Sequence, residues 1–93
     1  MDNTKIIRKH IRFYGRVQCV GFRYTAQQAA RSVKATGWVH NEYDGSVSME
    51  IQGREEQLDH VLVFLNNAAY IRIDRMETQM MTPVPDEKRF VVK

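Results

Sequence analysis

The chain has 93 residues, enough for one small domain, and residues 1–93 are read as a single unit. Hydrophobic residues make up 43% and charged residues 27%, which fits an ordinary soluble globular protein. No apolar run approaches the ~20 residues that span a bilayer, and a single cysteine excludes an internal disulfide and a thiolate metal site. The opening "MDNTKIIRKH" lacks the apolar stretch of a signal peptide, so a reducing, cytoplasmic setting is expected. A net charge of +3 suits anionic partners, from phosphate esters to RNA.

In chain order, "IIRKHIRFY" alternates and predicts a first strand. Ile7, Ile11 and Phe13 lie on one face and Arg8, His10, Arg12 and Tyr14 on the other. Lys9 interrupts the apolar face. After "GRVQCVGFR" comes a helix, with Phe22, Ala26, Ala29, Ala30 and Val33 as a narrow apolar stripe and Gly37 as its stop. "GWVHNEYDGSVSMEIQG" predicts a hairpin turning at Asp44-Gly45, with Val47, Met49 and Ile51 on its buried face. A second helix, "REEQLDHVLVFLNNA", carries Leu58, Val61, Leu62, Leu65 and Ala69 on its stripe and Glu55 and Glu56 at its positive end. "YIRIDRMETQM" alternates again with Ile71 and Ile73 inward. "TPVPDEK" is a loop, and "RFVVK" is a short last strand whose place in the sheet the pattern leaves open.

Two β-α-β units with one-faced strands predict an α+β, ferredoxin-like two-layer sandwich of the split β-α-β kind. An antiparallel sheet carries two helices on one face. Strands one and two then run parallel with strand three between them. The loop after strand one and the end of strand two come out at the same edge. This brings Gly15–Arg23 near Asn41.

A strand-to-helix loop presents unpaired backbone N–H groups at the positive end of a helix dipole. Glycine permits the curl of an anion-binding nest, and Arg23 can add a bidentate guanidinium. Together these would hold a phosphate dianion. Taken alone, the stretch reads equally well as a plain turn with an exposed arginine. It lacks the ending of a nucleotide P-loop. Asn41, two residues beyond Val39, projects from the helix-facing side beside the loop, where its amide can hold a water or an oxyanion. Ser46 reads either as support for Asn41 or as a hairpin-turn hydroxyl. Cys19 lacks an activating base beside it. It reads as a tolerated small side chain rather than a nucleophile, and its modification would block the loop.

The elements "GRVQCVGFR", "GWVHN" and "DGSV", at this separation, resemble the acylphosphatase family over essentially the whole chain. The resemblance implies metal-independent hydrolysis of the carboxyl-phosphate bond of acyl phosphates, giving carboxylate and inorganic phosphate, with no cofactor. It implies that Arg23 binds phosphate, that Asn41 orients the water, and that the backbone N–H groups of Gln18, Cys19, Val20, Gly21 and Phe22 form the cradle. Inorganic phosphate or sulfate is expected to occupy such a site. A monomer is expected, without nucleic-acid or membrane partners. The chain departs from the family pattern at Cys19, where glycine is usual, and in "NNAAYIRI", which lacks a frequent Gly-Pro pair. The alternatives on this fold are a non-catalytic phosphate-ligand module and an RNA-binding module. Strand three, "SVSMEIQG", carries no aromatic on which a base could stack.

Overall fold

A computed structural model describes residues 4–93. Its elements run β1 (Ile6–Arg16), α1 (Phe22–Ser32), β2 (Thr36–Asn41), β3 (Val47–Arg54), α2 (Glu55–Asn66), β4 (Arg72–Met81) and β5 (Phe90–Val92). They form one five-stranded sheet in the order β4-β1-β3-β2-β5. Strand β3 pairs antiparallel with both β1 and β2, so β1 and β2 run parallel on either side of it, as the alternation implied.

Strands β1 to β4 pair antiparallel as expected, and the last strand, whose place the pattern left open, makes the sheet mixed, because β5 pairs parallel with β2, Gly37 opposite Phe90 and Val39 opposite Val92. The physical reason lies in residues 82–89. They cross the open face of the sheet from the β4 edge to the far edge and deliver β5 in the same direction as β2. Arg8 on β1 grips Glu87 of this segment (Nη1 to Oε1 2.7 Å, Nη2 to Oε2 3.3 Å) and also Glu50 (Nε to Oε1 2.8 Å). Gln52 exchanges two hydrogen bonds with the backbone of Val84. Arg8 is therefore only 2% exposed although it stands on the face without helices. Its charge is satisfied by two carboxylates, as a buried charge requires. Burial alone would raise the Glu50 carboxyl, but hydrogen bonds from His10 and Arg8 outweigh it and hold Glu50 below the ordinary range.

The core lies between the sheet and the two helices. Ile11, Phe13, Val39, Val47, Met49 and Ile51 rise from the sheet to meet Phe22, Ala26, Ala29, Ala30, Leu58, Val61 and Leu65. The alanines keep α1 close to the sheet. Leu62 is partly buried, but Ala69 is exposed. The helix stops at Asn66, and Ala68 packs on the core in its place. Helix α2 is tied to α1 through Gln57, whose amide donates to the Val33 carbonyl (2.6 Å) and whose oxygen accepts the Arg54 N–H (2.6 Å).

Gly37 is not the stop of α1. Lys34 takes the left-handed turn (φ 62°). Lys34 N–H donates to the Arg31 carbonyl (3.1 Å) and Ala35 N–H to the Ala30 carbonyl (2.9 Å), the paired bonds of a Schellman ending. Gly37 instead sits inside β2 at φ 140°, where a side chain would run into the Glu50 carbonyl oxygen. Tyr43 lies beyond the end of β2 in the hairpin turn and is fully exposed.

Candidate active site

Opposite the end of β1, strand β4 carries a bulge with Asp74 as its extra residue. Tyr14 pairs with Arg75, but the next residue, Gly15, pairs with Ile73. Such a bulge bends the strand that holds it and raises the local twist where β1 leaves the sheet. The chain then leaves the sheet, buries Val17, and turns through Cys19 at φ 63° and Gly21 at φ 78°. Left-handed residues two apart permit the curl that an anion nest requires. Gly21 is also the N-cap of α1, and it supplies no side-chain cap. The first turn of α1 contains no acidic residue. The donors of that turn and the positive end of the dipole are therefore left for an external anion. Phe22 anchors the helix start in the core, 2% exposed, its ring 4.9 Å from that of Phe13.

Arg23 stands on this first turn, half-buried, with one long contact from Nη1 to the Lys93 carbonyl oxygen (3.5 Å). The Lys93 N–H donates to the Val39 carbonyl (2.8 Å), so the guanidinium lies beside the last part of β2. Asn41 closes β2, two residues beyond Val39 and opposite Val47 of β3. It is half-buried and its amide has no hydrogen-bond partner among the described residues. Arg23 and Asn41 do not bond to each other. The fold brings them to the same end of the sheet on either side of the loop.

The loop is joined to the β2 end by a side chain whose part the sequence reading missed. The Gln18 amide donates to the Glu42 carbonyl (2.7 Å) and to the Ser46 carbonyl (2.9 Å). Sequence reading gave Gln18 only a backbone role, because a contact to main-chain carbonyls 24 and 28 residues away leaves no pattern.

Ser46 meets the loop through its backbone. Its hydroxyl serves the hairpin instead, donating to Asp44 Oδ1 (2.6 Å) and accepting from Arg12 Nε (2.8 Å). The Ser46 hydroxyl, then its N–H, and then the Arg12 guanidinium lower the Asp44 carboxyl to about 2. Cys19 is exposed and free. Among the described residues, no three His, Cys, Asp or Glu side chains are grouped as metal ligands would be, and no helix is long and apolar enough to cross a membrane.

The sequence profile of the Acylphosphatase family matches residues 9–92. The chain belongs to the acylphosphatase family. It is 40% identical over 84 residues to an acylphosphatase of Geobacillus thermodenitrificans, covering 89% of both chains. It is 36% identical over 80 residues to one of Thermococcus kodakarensis, covering 85% of this chain and 88% of that one. The crystal structure of the acylphosphatase from Bacillus subtilis superposes with a TM-score of 0.85 at 30% identity, over 94% of this chain and 98% of that one. The same fold recurs within the much longer HypF of Thermococcus kodakarensis (TM-score 0.81, 30% identity), where it matches 94% of this chain and 12% of that one. Membership makes this chain an acylphosphatase-type hydrolase of acid anhydrides on an α+β, ferredoxin-like fold.

Proposed function

We propose that the acylphosphatase reaction runs on the loop Gln18–Phe22, Arg23 and Asn41. The phosphoryl group of an acyl phosphate sits in the curled loop, held by the backbone N–H groups of Gln18, Cys19, Val20, Gly21 and Phe22. Arg23 supplies the paired donors that a phosphoryl group accepts. Asn41 holds a water on the opposite side of phosphorus. The water oxygen bonds to phosphorus as the bond to the bridging oxygen breaks. The acyl carboxylate leaves with the bonding pair, and the protons of the water go to the phosphate and to solvent. A carboxylate is a good leaving group, so positioning and charge stabilisation suffice, and no side chain has to carry a proton.

The observation that carries this reading is the start of α1. It has no side-chain cap and no acid in its first turn, it bears Arg23, and Gln18 fastens the loop before it to the residue after Asn41. Ser46 takes part through its carbonyl, which steadies Gln18 and hence the distance from loop to Asn41. Inorganic phosphate or sulfate competes for the same cradle. We read residues 1–93 as one domain, acting as a monomer in the cytoplasm on small-molecule acyl phosphates. A single continuous core and a lone cysteine support that reading.

The test is phosphate release from benzoyl phosphate. Arg23→Ala is expected to lower kcat/KM by on the order of 10²–10³ with the fold intact. Asn41→Ala is expected to lower kcat and leave KM close to that of the unmodified chain. An Arg23→Ala protein as fast as the parent would remove the arginine from the reaction. A large rise in KM with kcat intact would make Asn41 a binding group instead.

A further inference from the structure

Arg16 belongs to the same stretch as the cradle, yet holding a phosphoryl group leaves it unused. It ends β1 opposite Arg72 on β4 and is exposed. Arg8, Arg12, Arg54 and Arg72 each lie within 3.0 Å of a carboxylate. Arg16 has no such partner among the described residues. A surface depression of about 590 Å³ lies beside it, lined by Arg16, Gln18, Cys19, Val20 and Tyr70. Three of these are loop residues, so the depression borders the loop proposed as the cradle. Tyr70 comes from the turn between α2 and β4 and is 76% exposed, a large aromatic surface left uncovered. The fold thus places a cation without a carboxylate partner among the described residues, an open ring and a half-buried valine around one hollow beside the loop.

We propose that this hollow receives the acyl part of the substrate, and that Arg16 pairs with a second negative charge on it. The preferred substrates are then acyl phosphates whose acyl group ends in a carboxylate or phosphate. The proposal rests on the loop being the phosphoryl cradle. Tyr70 and Val20 flank the carbon chain, and the Arg16 guanidinium takes the distal anion in the planar two-point manner that carboxylates and phosphates accept. The group lies in solvent, so the contact is modest and weakens with salt. It touches atoms that do not react, so it acts on substrate choice, not on the bond broken.

The experiment compares succinyl phosphate with butyryl phosphate, which has the same number of carbons but no distal charge. The readout is the ratio of their kcat/KM values. Arg16→Gln is expected to lower the succinyl-to-butyryl ratio about two- to fivefold, and Arg16→Glu to lower it further. Arg16→Lys is expected to restore part of it. The parent ratio should shrink when ionic strength is raised from about 0.05 M to about 0.5 M. Competitive inhibition by inorganic phosphate should keep its strength in Arg16→Gln, since that probe fills only the cradle. A ratio unchanged by Arg16→Gln overturns the proposal. So does a parallel loss of phosphate inhibition, which would place Arg16 on the phosphoryl group. A parent chain that turns over neither substrate overturns the cradle reading together with this one, while normal turnover with a flat ratio overturns this one alone.

Discussion

Cys19 holds a left-handed backbone at φ 63°, and its side chain is exposed, so Cys19→Gly removes strain and sacrifices almost no packing. A residue with a Cβ gives up roughly 1–2 kcal/mol in this conformation. Glycine returns about 0.5–1 kcal/mol of that through the greater freedom of its unfolded chain. The net expectation is a stabilisation of about 0.5–1 kcal/mol. With about 2.1 cal/mol/K per residue, the 93-residue chain has an unfolding entropy near 0.2 kcal/mol/K, so Tm should rise by about 3–5 °C. Lys34 is the matched control. It has φ 62°, ends α1, and stands away from the loop. Lys34→Gly should give a gain of the same size, and the two gains should add, because the sites share no partner. The assay is thermal unfolding by circular dichroism, run alongside benzoyl phosphate hydrolysis. KM should move only in the Cys19 variant, because only there does the added freedom fall within the cradle. If Cys19→Gly lowers Tm while Lys34→Gly raises it, the cysteine side chain has a stabilising contact and the strain argument fails at the loop.

Gln18→Ala should cost about 1–2 kcal/mol, the loss of two hydrogen bonds to half-buried carbonyls, and should lower kcat. Equal kcat in the two proteins would show that the joint does not set the place of Asn41. The Asp44 carboxyl sits at about 2, below the ordinary 3.8, so its contribution is complete above about pH 4 and is lost as pH falls toward 2. The parent should therefore lose Tm more steeply than Asp44→Asn between pH 4 and 2, and parallel curves would contradict this. Arg8→Ala leaves Glu50 and Glu87 on the sheet face without their cation and should cost about 3–5 kcal/mol by urea unfolding. Hydrogen exchange should rise along residues 82–89, and an unchanged exchange pattern would mean that this segment is held by Gln52 alone.

The fold was legible where side chains repeat with a period. Ile11 and Phe13, and then Val47, Met49 and Ile51, mark one-faced strands, and the alanine stripe marks a helix lying close on a sheet. From those, the meeting of Gly15–Arg23 with Asn41 followed by topology alone, since β1 and β2 run parallel with β3 between them. What escaped was set by contacts between positions far apart in the chain. A strand of three residues has no period, and the direction of β5 depends on Arg8 reaching Glu87, 79 residues away. The end of α1 was misplaced because Gly37 offers the stronger local signal. Lys34 adopts the turn only because the Ala35 N–H reaches back to the Ala30 carbonyl. In the candidate site, the arginine and the asparagine could be named from their places at element ends. The strut formed by the Gln18 amide could not, since its acceptors are main-chain atoms that every residue possesses.

The anonymity of those acceptors shapes how the site can diverge. The joint between loop and hairpin is specified from one side only. Glu42 and Ser46 contribute the path of their backbone to Gln18, whatever side chains they bear. Position 42 can therefore drift through many residue types while the cradle keeps its distance from Asn41. A single change at position 18 would release both contacts at once. The side-chain requirement of this joint falls on one glutamine, while the hairpin facing it keeps its own requirement in the bonds that join Asp44, Ser46 and Arg12.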